Sequence, residues 1–409
     1  MAARTNIQLA LVASLLLAAP EASAKVYVEL RPRATMMAGY DDNVQLDGGG
    51  ADAFGQAIPG LKLDIFGEHQ FHVNLDCQAG IAHLVHPERF GIDQGAFASN
   101  ESCLFGMRDH LDPRTTTRWV GRVTYAQDPF AIAGYGLLLR PGQTHVFVGK
   151  LYGEIAHALS ASTSYEIGAA GEVLNFGSND RGNGYVLTPQ MRYLLHSSPR
   201  TTWDVGVREQ LFFAVGTTER TVTTTGANGQ PVTNTTPGTP SGLLNEGHAA
   251  LLGVTYRLTE VANLIVRGGP LLVTGLHGQM VVPTGKIELE AVTPTSGLHL
   301  TVGHDLVIGA SLAGPLVGDI AELGLYTELG RFGAELRSGV YRNTSVTNQG
   351  AVGLLGYGGE AAVSWKLTRE WKVGVAALRD AQLNDTYLAK VDRDVLQLRL
   401  TWERAKFGE

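Results

Sequence analysis

Charged side chains that recur at every second position are the residues of this sequence best placed to act on a small molecule. Lys286, Glu288 and Glu290 alternate with Ile287 and Leu289, and a period of two places such residues on one face of a β-strand. The chemistry that these groups offer is electrostatic, because opposed acidic and basic surfaces orient polar solutes. The same parity assigns these further residues to polar strand faces: Arg108, Arg118, Arg122, Glu322, Tyr326, Glu328, Glu335, Arg337, Tyr341 and Arg399.

Two arrangements of these charges are open. If the strands close into a barrel, an acidic wall around Glu288, Glu322 and Glu335 would face an arginine group around Arg118 across the interior, with the arginines nearer the end that carries the tight connections. Such a field would select among solutes by charge. Alternatively, the charges pair with one another and fill the interior.

Covalent chemistry has little support in the sequence. His304, Asp305 and Ser311 invite a search for a hydrolytic triad, but the segment GASLAG around Ser311 lacks the G-x-S-x-G nucleophile elbow. His304 also follows the apolar parity of Leu300 and Val302. Neither a C-x-x-C motif nor paired histidines on one face suggest a metal site. We therefore predict no enzymatic activity, no cofactor and no metal.

The elements that would carry these residues are amphipathic strands. Residues 71–81, FHVNLDCQAGI, place apolar and polar side chains on opposite faces, and residues 396–403 repeat the pattern. About 18 such segments follow one another, or about 16 if weak hairpins are miscounted, and single-chain bacterial barrels have an even strand number. The sequence thus predicts an all-β fold, a transmembrane antiparallel up-and-down β-barrel.

A soluble β-sandwich would also alternate, and two further features favour the barrel. Tight connections at residues 66–70, 110–114, 197–200 and 368–371 alternate with mostly longer ones, as in barrels with short periplasmic turns and long extracellular loops. Aromatic residues also lie near predicted strand ends, where membrane barrels have interfacial girdles. These residues are Tyr40, Trp119, Tyr125, Trp203, Trp365, Trp371 and Trp402.

Residues 1–24 have the features of a secretory signal peptide. Arg4 precedes the apolar segment LALVASLLLAA, and small residues end at Ala24. The apolar segment is shorter than the roughly 20 residues of a membrane-spanning helix. We expect residues 25–409 to form a single barrel domain in the outer membrane of a Gram-negative bacterium, with its N-terminus in the periplasm.

One pair of cysteines and two predicted connections between strands have alternative interpretations. Cys77 and Cys103 lie on consecutive strands with lipid-facing parity, and they either form a disulfide, which needs Cα atoms within about 7 Å, or remain two small hydrophobic residues. Residues 219–247 are Thr-rich, and they form either a hairpin around Asn228-Gly229 or a disordered loop. Residues 128–143 either fold into the lumen or extend the next strand.

A short motif carries a resemblance to a known family. The segment Gly39-Tyr40-Asp41-Asp42-Asn43-Val44 resembles the G-Y-D-[DS]-N segment that follows the first strand in outer-membrane β-barrel porins, which implies a pore. The last strand, LQLRLTW, is similar to the signal by which the barrel-insertion machinery recognises its clients, although residues 403–409 follow the aromatic Trp402. In outline the chain is also similar to polysaccharide-export barrels.

Together these observations predict a channel that lies in outer-membrane lipid and passes hydrophilic solutes through a charged lumen. One alternative is an export conduit for a secreted polysaccharide, which works with periplasmic partners. Another is a structural or adhesive barrel whose outer loop 219–247 binds a surface partner. The formal net charge of -7 is spread along the chain, so no nucleic-acid partner is expected.

Overall fold

The alternating segments form antiparallel strands, because alternation gives each strand one apolar and one polar face. The computed structural model of the chain describes residues 26–43, 50–86, 96–98, 101–126, 146–175, 183–215, 220–225, 231–236, 242–275, 278–308, 315–345, 353–384 and 389–404. Within these ranges, no helix is long and apolar enough to cross a membrane.

The strands have the following bounds in chain order: β1 Tyr27–Asp41, β2 Asp52–Phe66, β3 His72–Gln78, β4 Ile81–Leu84, β5 Ala96–Ala98, β6 Glu101–Asp112, β7 Thr115–Ala126, β8 Val146–Ala158, β9 Thr163–Asn175, β10 Asn183–Ser198, β11 Thr201–Val215, β12 Arg220–Thr225, β13 Pro231–Thr236, β14 Gly242–Arg257, β15 Ala262–Gly275, β16 Gly278–Val292, β17 Ser296–Ile308, β18 Pro315–Leu329, β19 Phe332–Ser345, β20 Gly353–Lys366, β21 Trp371–Asn384 and β22 Ala389–Glu403. A short 3-10 helix, Glu68–Gln70, precedes β3.

The main sheet closes on itself. β1 pairs with β2 on one side and with β22 on the other, and the strands between them pair in chain order. β3 and β4 both pair with β2, while β6 and β5 pair with β3 and β4 respectively. These four segments make two interrupted strands, so the barrel has 18 strands. The predicted fold class and the higher predicted strand count are confirmed.

The two ends of the barrel differ in their connections. At one end, which also carries the first residues of β1 and the last of β22, the turns are tight. In the turn after β6, the Asp112 carboxylate accepts hydrogen bonds from the backbone N–H groups of Arg114 and Thr115 at 2.7 and 2.8 Å, a contact that favours tight turns. We call this the short-turn end and the opposite one the long-connection end. One connection departs from the predicted rhythm, because only residues 276–277 separate β15 from β16 at the long-connection end.

The outer surface of the barrel is apolar. Val207, Leu252 and Leu398 point outward and expose 59%, 62% and 59% of their surface. Aromatic pairs lie on this surface near both ends. Tyr185 and Phe213 stack with ring centroids 4.7 Å apart near the long-connection end, and Phe332 and Trp365 meet edge to face at 4.0 Å near the short-turn end. This arrangement of an apolar belt between aromatic residues matches the sequence pattern.

The Thr-rich region forms a hairpin of its own. β12 and β13 pair only with each other among the described strands, in a two-stranded sheet, which confirms the hairpin alternative. The region is shorter than the predicted range 219–247, because β14 already begins at Gly242. Residues 1–24 and 128–143 lie outside the described part of the chain.

Residues 39–43 of the sequence motif lie where the barrel closes, and Val44 lies outside the described residues. The Asp41 carboxylate, in β1, accepts hydrogen bonds from Nε and Nη2 of Arg393 in β22, at 2.9 and 2.5 Å. Asn43 donates from Nδ2 to the backbone carbonyl oxygen of Asp392 at 2.6 Å. The Asp42 carboxylate accepts from a backbone N–H of β22 at 2.7 Å. The motif therefore attaches the first strand to the last at the long-connection end.

Candidate functional site

The ionisable residues selected by parity lie on the inner face of the barrel. Directly opposed residues of neighbouring strands share a face, and the register carries the inner face from Glu288 in β16 through Thr301 in β17 to Glu322 in β18. Ile287, next to Glu288, points outward and is 47% exposed. By the same registers, the inner residues include Arg108, Arg118, Arg122, Lys286, Glu290, Glu328, Glu335, Arg337 and Arg399.

Most carboxylates of the predicted acidic wall have a cationic partner. Lys286 Nζ lies 2.5 Å from Glu288, and Lys366 Nζ lies 2.6 Å from Glu328. Glu335 forms an ion pair with Arg337. These pairs match the alternative in which the lumen charges compensate one another. Across the resolved strands, no cation lies within ion-pair distance of Glu290 or Glu322.

Arg399, predicted from the last strand, is also compensated. Its guanidinium lies 2.5 Å from the Glu360 carboxylate, and the pair spans the inner face from β20 to β22. Such a pair fixes both side chains against the wall, because each group satisfies the charge of the other.

Arg108, Arg118 and Arg122 form a different arrangement, which we call the arginine row. Arg108 and Arg118 are directly opposed on β6 and β7, and Arg122 lies four residues further along β7. No carboxylate of the described residues lies within ion-pair distance of these three guanidinium groups. Arg122 Nε donates to Thr124 Oγ1 at 3.3 Å. Like charges directly opposed on a sheet are destabilising, so the row is a place where an anion from solution would be bound favourably.

The nearest expected partner of the row is engaged elsewhere. Glu154 in β8 is directly opposite Arg118, but its carboxylate accepts a hydrogen bond from Tyr152 and lies 3.8 Å from Arg192. Arg192 also pairs with Glu166 of β9. This cluster holds Glu154 away from the row and leaves the positive charge of Arg118 uncompensated.

Two bidentate ion pairs on the inner face were not predicted from the sequence. Arg267 in β15 donates from Nε and Nη2 to both carboxylate oxygens of Asp204 in β11, at 2.9 and 3.0 Å. Arg208 in β11 donates from Nη1 and Nη2 to both oxygens of Asp305 in β17, at 2.7 Å each. The partners lie 63 and 97 residues apart in the chain. Strand parity places each of them inside, but no local motif connects residues so far apart.

The candidate hydrolytic triad is not brought together. His304 points outward, where its Nδ1 lies 2.6 Å from Asp319, whereas Asp305 points inward to Arg208. Ser311 lies outside the described residues. In the described ranges, no three His, Cys, Asp or Glu side chains form a group that could hold a metal ion.

Cys77 and Cys103 are directly opposed on β3 and β6. Their Cα atoms are 4.0 Å apart, and the structure joins them in a disulfide. Cys77 is also opposite the outward-facing Leu61 of β2, so the bridge lies on the outer surface, where parity had placed both cysteines.

No family model and no curated protein matches the chain. Solved structures with a related outline include Pseudomonas aeruginosa OccK2 (OpdF) in complex with glucuronate, at 10% identity and a TM-score of 0.42, covering 92% of this chain and 97% of that one. They also include P. aeruginosa OccK9 (OpdG), at 10% identity and a TM-score of 0.42, covering 92% and 98%. P. aeruginosa OpdQ has 7% identity and a TM-score of 0.41, covering 93% and 97%. Sequence identity and TM-score are both low, so these structures support no statement about the function of this chain.

Proposed function

We propose that the protein is an outer-membrane channel that passes hydrophilic solutes through its charged lumen. The observation that carries the proposal is the closed 18-stranded barrel, with charged residues on its inner face and exposed apolar residues on its outer face. Only helices and closed barrels satisfy all backbone groups within lipid, and barrels of 16–18 strands enclose an aqueous channel. The short-turn end, with the N-terminus, then faces the periplasm.

The distribution of compensated and uncompensated charge supports a preference for anions. Glu288, Glu328 and Glu335 have cationic partners in the lumen. Glu290 and Glu322 have none among the described residues, but they lie on β16 and β18 with β17 between them. The arginine row instead brings three guanidinium groups together on two adjacent strands, with no carboxylate partner among the described residues. Unpaired charges that line a pore determine which ions enter it. The row lies near the short-turn end, so it would act on anions close to the periplasmic mouth.

The proposal also covers the assembly of the barrel. Leu396, Leu398, Leu400 and Trp402 of β22 alternate with inner polar residues, which supports recognition of the last strand by the barrel-insertion machinery. No contact among the described strands favours polysaccharide export or adhesion, so we do not extend the proposal to them.

Conductance across a planar lipid bilayer tests this function. Purified, refolded protein is added to one side of the bilayer. A shift of its gel migration on heating verifies beforehand that the barrel is folded. We expect stepwise increases in conductance, which scale with salt concentration as in a water-filled pore. Folded protein that inserts but never conducts would contradict the proposal.

A further inference from the structure

The wall of the barrel is incomplete between β16 and β17. These strands pair only from Gly285, opposite His304, down to Val292, opposite Gly297. β16 continues towards the long-connection end through residues 279–284 and pairs there with β15 alone. β17 continues through residues 305–308 and pairs there with residues 315–318 of β18 alone. The two strands therefore separate above the level of His304.

Pro283 gives a physical reason for the separation. It lies directly opposite Pro270 of β15, and two prolines cannot exchange N–H···O bonds with each other, so this position must be a non-hydrogen-bonded pair. The backbone N and C=O of Pro283 then point towards β17. The next hydrogen-bonded pair of the β16–β17 ladder would join Pro283 to Leu306, and Pro283 has no N–H to donate.

Beyond the separation, the described residues around Leu306 in β17 and Val317 in β18 lie inside the lumen. Leu306 and Val317 are directly opposed. Each lies two residues from an outward-pointing residue of its own strand, His304 in β17 and Asp319 in β18, so strand alternation predicts that Leu306 and Val317 also point outward. Yet Leu306 is 5% exposed and belongs to a cluster of inner residues, and Val317 packs against it. A Cβ at Gly247 of β14 would lie 2.9 Å from Leu306 Cδ1. The inner residues of this cluster include Phe212, Ala249, Leu251, Leu271 and Val273, with Val282 alongside.

An ion pair holds this part of β17 in place. Asp305, the first residue above the separation, binds both terminal nitrogens of Arg208 at 2.7 Å. The Thr284 hydroxyl lies 3.1 Å from the same carboxylate and donates to the carbonyl oxygen of His304 at 3.1 Å. Arg208 belongs to β11, so the contact spans the inner face of β14, β15 and β16. A bidentate, charge-assisted contact fixes geometry as well as charge.

We propose that residues 305–308 and 315–318 form a gate that Arg208 and Asp305 latch inside the lumen. In the outward position, residues 305–308 extend the β16–β17 ladder in its existing register, which places Val307 opposite Val282. Leu306 and Val317 then face lipid, as their parity dictates. The missing N–H of Pro283 weakens this outward pairing, so the outward position gains little free energy over the inward position. This inference rests on the proposed channel function.

A crosslink tests whether the outward position is visited, and its result does not depend on conduction. In the Val282→Cys/Val307→Cys variant, the two cysteines form a non-hydrogen-bonded pair only when the ladder is extended, and such pairs bring Cα atoms to about 4.5 Å. We expect mild oxidation to join them in membranes. Glu290→Cys/His299→Cys, a pair in the formed part of the ladder, controls for oxidation. A control that oxidises while the test pair never does would overturn the gate.

Single-channel recording tests the latch. Asp305→Asn removes the charge that holds Arg208, and we expect the ratio of time at the high-conductance level to time at the low level to rise about tenfold. Glu172→Gln makes the same change of charge on the inner face, at a half-exposed pair with Lys150, and should leave the ratio unchanged. Equal ratios in wild type and Asp305→Asn would overturn the latch, whereas a wild type that does not conduct at all would count against the channel itself.

Discussion

At the scale of single residues, the lumen separates charges that hold the wall from charges that face the solution. Arg267 and Arg208 each bind a carboxylate through two nitrogens, so a negative charge within the barrel wall compensates each of them. Arg108 and Arg118 face each other without such a partner among the described residues. Electrostatic selection is therefore expected from the arginine row more than from the paired residues.

Removing the arginine row should reduce the preference for anions. A unit charge at about 4 Å contributes about 1 kcal/mol in water. We expect the Arg108→Gln/Arg118→Gln/Arg122→Gln variant to lower the anion-to-cation permeability ratio by about fivefold or more. The reversal potential in a salt gradient measures this ratio, and the difference should shrink as ionic strength rises. Arg379→Gln, which changes an outward-facing arginine 49% exposed, is the control. A triple variant with the wild-type reversal potential would show that the row does not select ions.

Breaking the pair at the barrel closure should weaken the fold. The side chains of Asp41 and Arg393 are 5% and 12% exposed, and removing one partner of a buried pair costs about 3 kcal/mol or more. We expect Asp41→Asn to lower the temperature at which the barrel loses its fast gel migration. Arg379→Gln breaks solvent-exposed pairs with Asp392 and Asp394 and should lower that temperature much less, because exposed ion pairs contribute little to stability. Equal effects of the two variants would argue against a special role for the closure motif.

At the scale of elements, the strands could be predicted from the sequence, but the places where a strand leaves the regular barrel wall could not. Period-two alternation identified 18 strands because each strand needs one face for the outside and one for the lumen. The bend of β17 was hidden, because Leu306 has ordinary outward parity and only Pro283, on another strand, disturbs the ladder. Likewise, Arg208 and Asp305 each had inward parity, but their contact depends on that bend.

The disulfide between β3 and β6 should constrain the connection between them. Cys77 and Cys103 are 26 residues apart in sequence, and closing a loop of about this length stabilises a fold by about 3.5 kcal/mol in the chain-entropy model. Intact mass under non-reducing conditions should be lower by two hydrogens than the reduced mass. Cys77→Ala/Cys103→Ala should assemble but lose its fast migration at a lower temperature. Two freely alkylated cysteines in the native protein would rule out the bridge.

At the scale of the whole molecule, an apolar exterior and a charged interior belong to one closed sheet. Parity alone assigned Glu288 and Arg118 to the interior, but it could not tell that the first is paired with Lys286 and the second is not. Lys286 and Glu288 lie two residues apart on one strand, whereas Arg118 lacks a partner because Glu154, opposite it on β8, is held by Tyr152 and Arg192. The function proposed here follows from this combination of closure, polarity and uncompensated arginines.

Swelling of proteoliposomes in solutes of graded size and charge measures the passage of solutes through the barrel itself. We expect swelling rates that fall with solute size and that are faster for an anionic sugar acid than for a cationic amino sugar of matched size. The heat-modifiable gel migration of the protein verifies that the liposomes contain the folded barrel. If such liposomes swell no faster than protein-free liposomes in any of these solutes, the protein is not a channel for hydrophilic solutes.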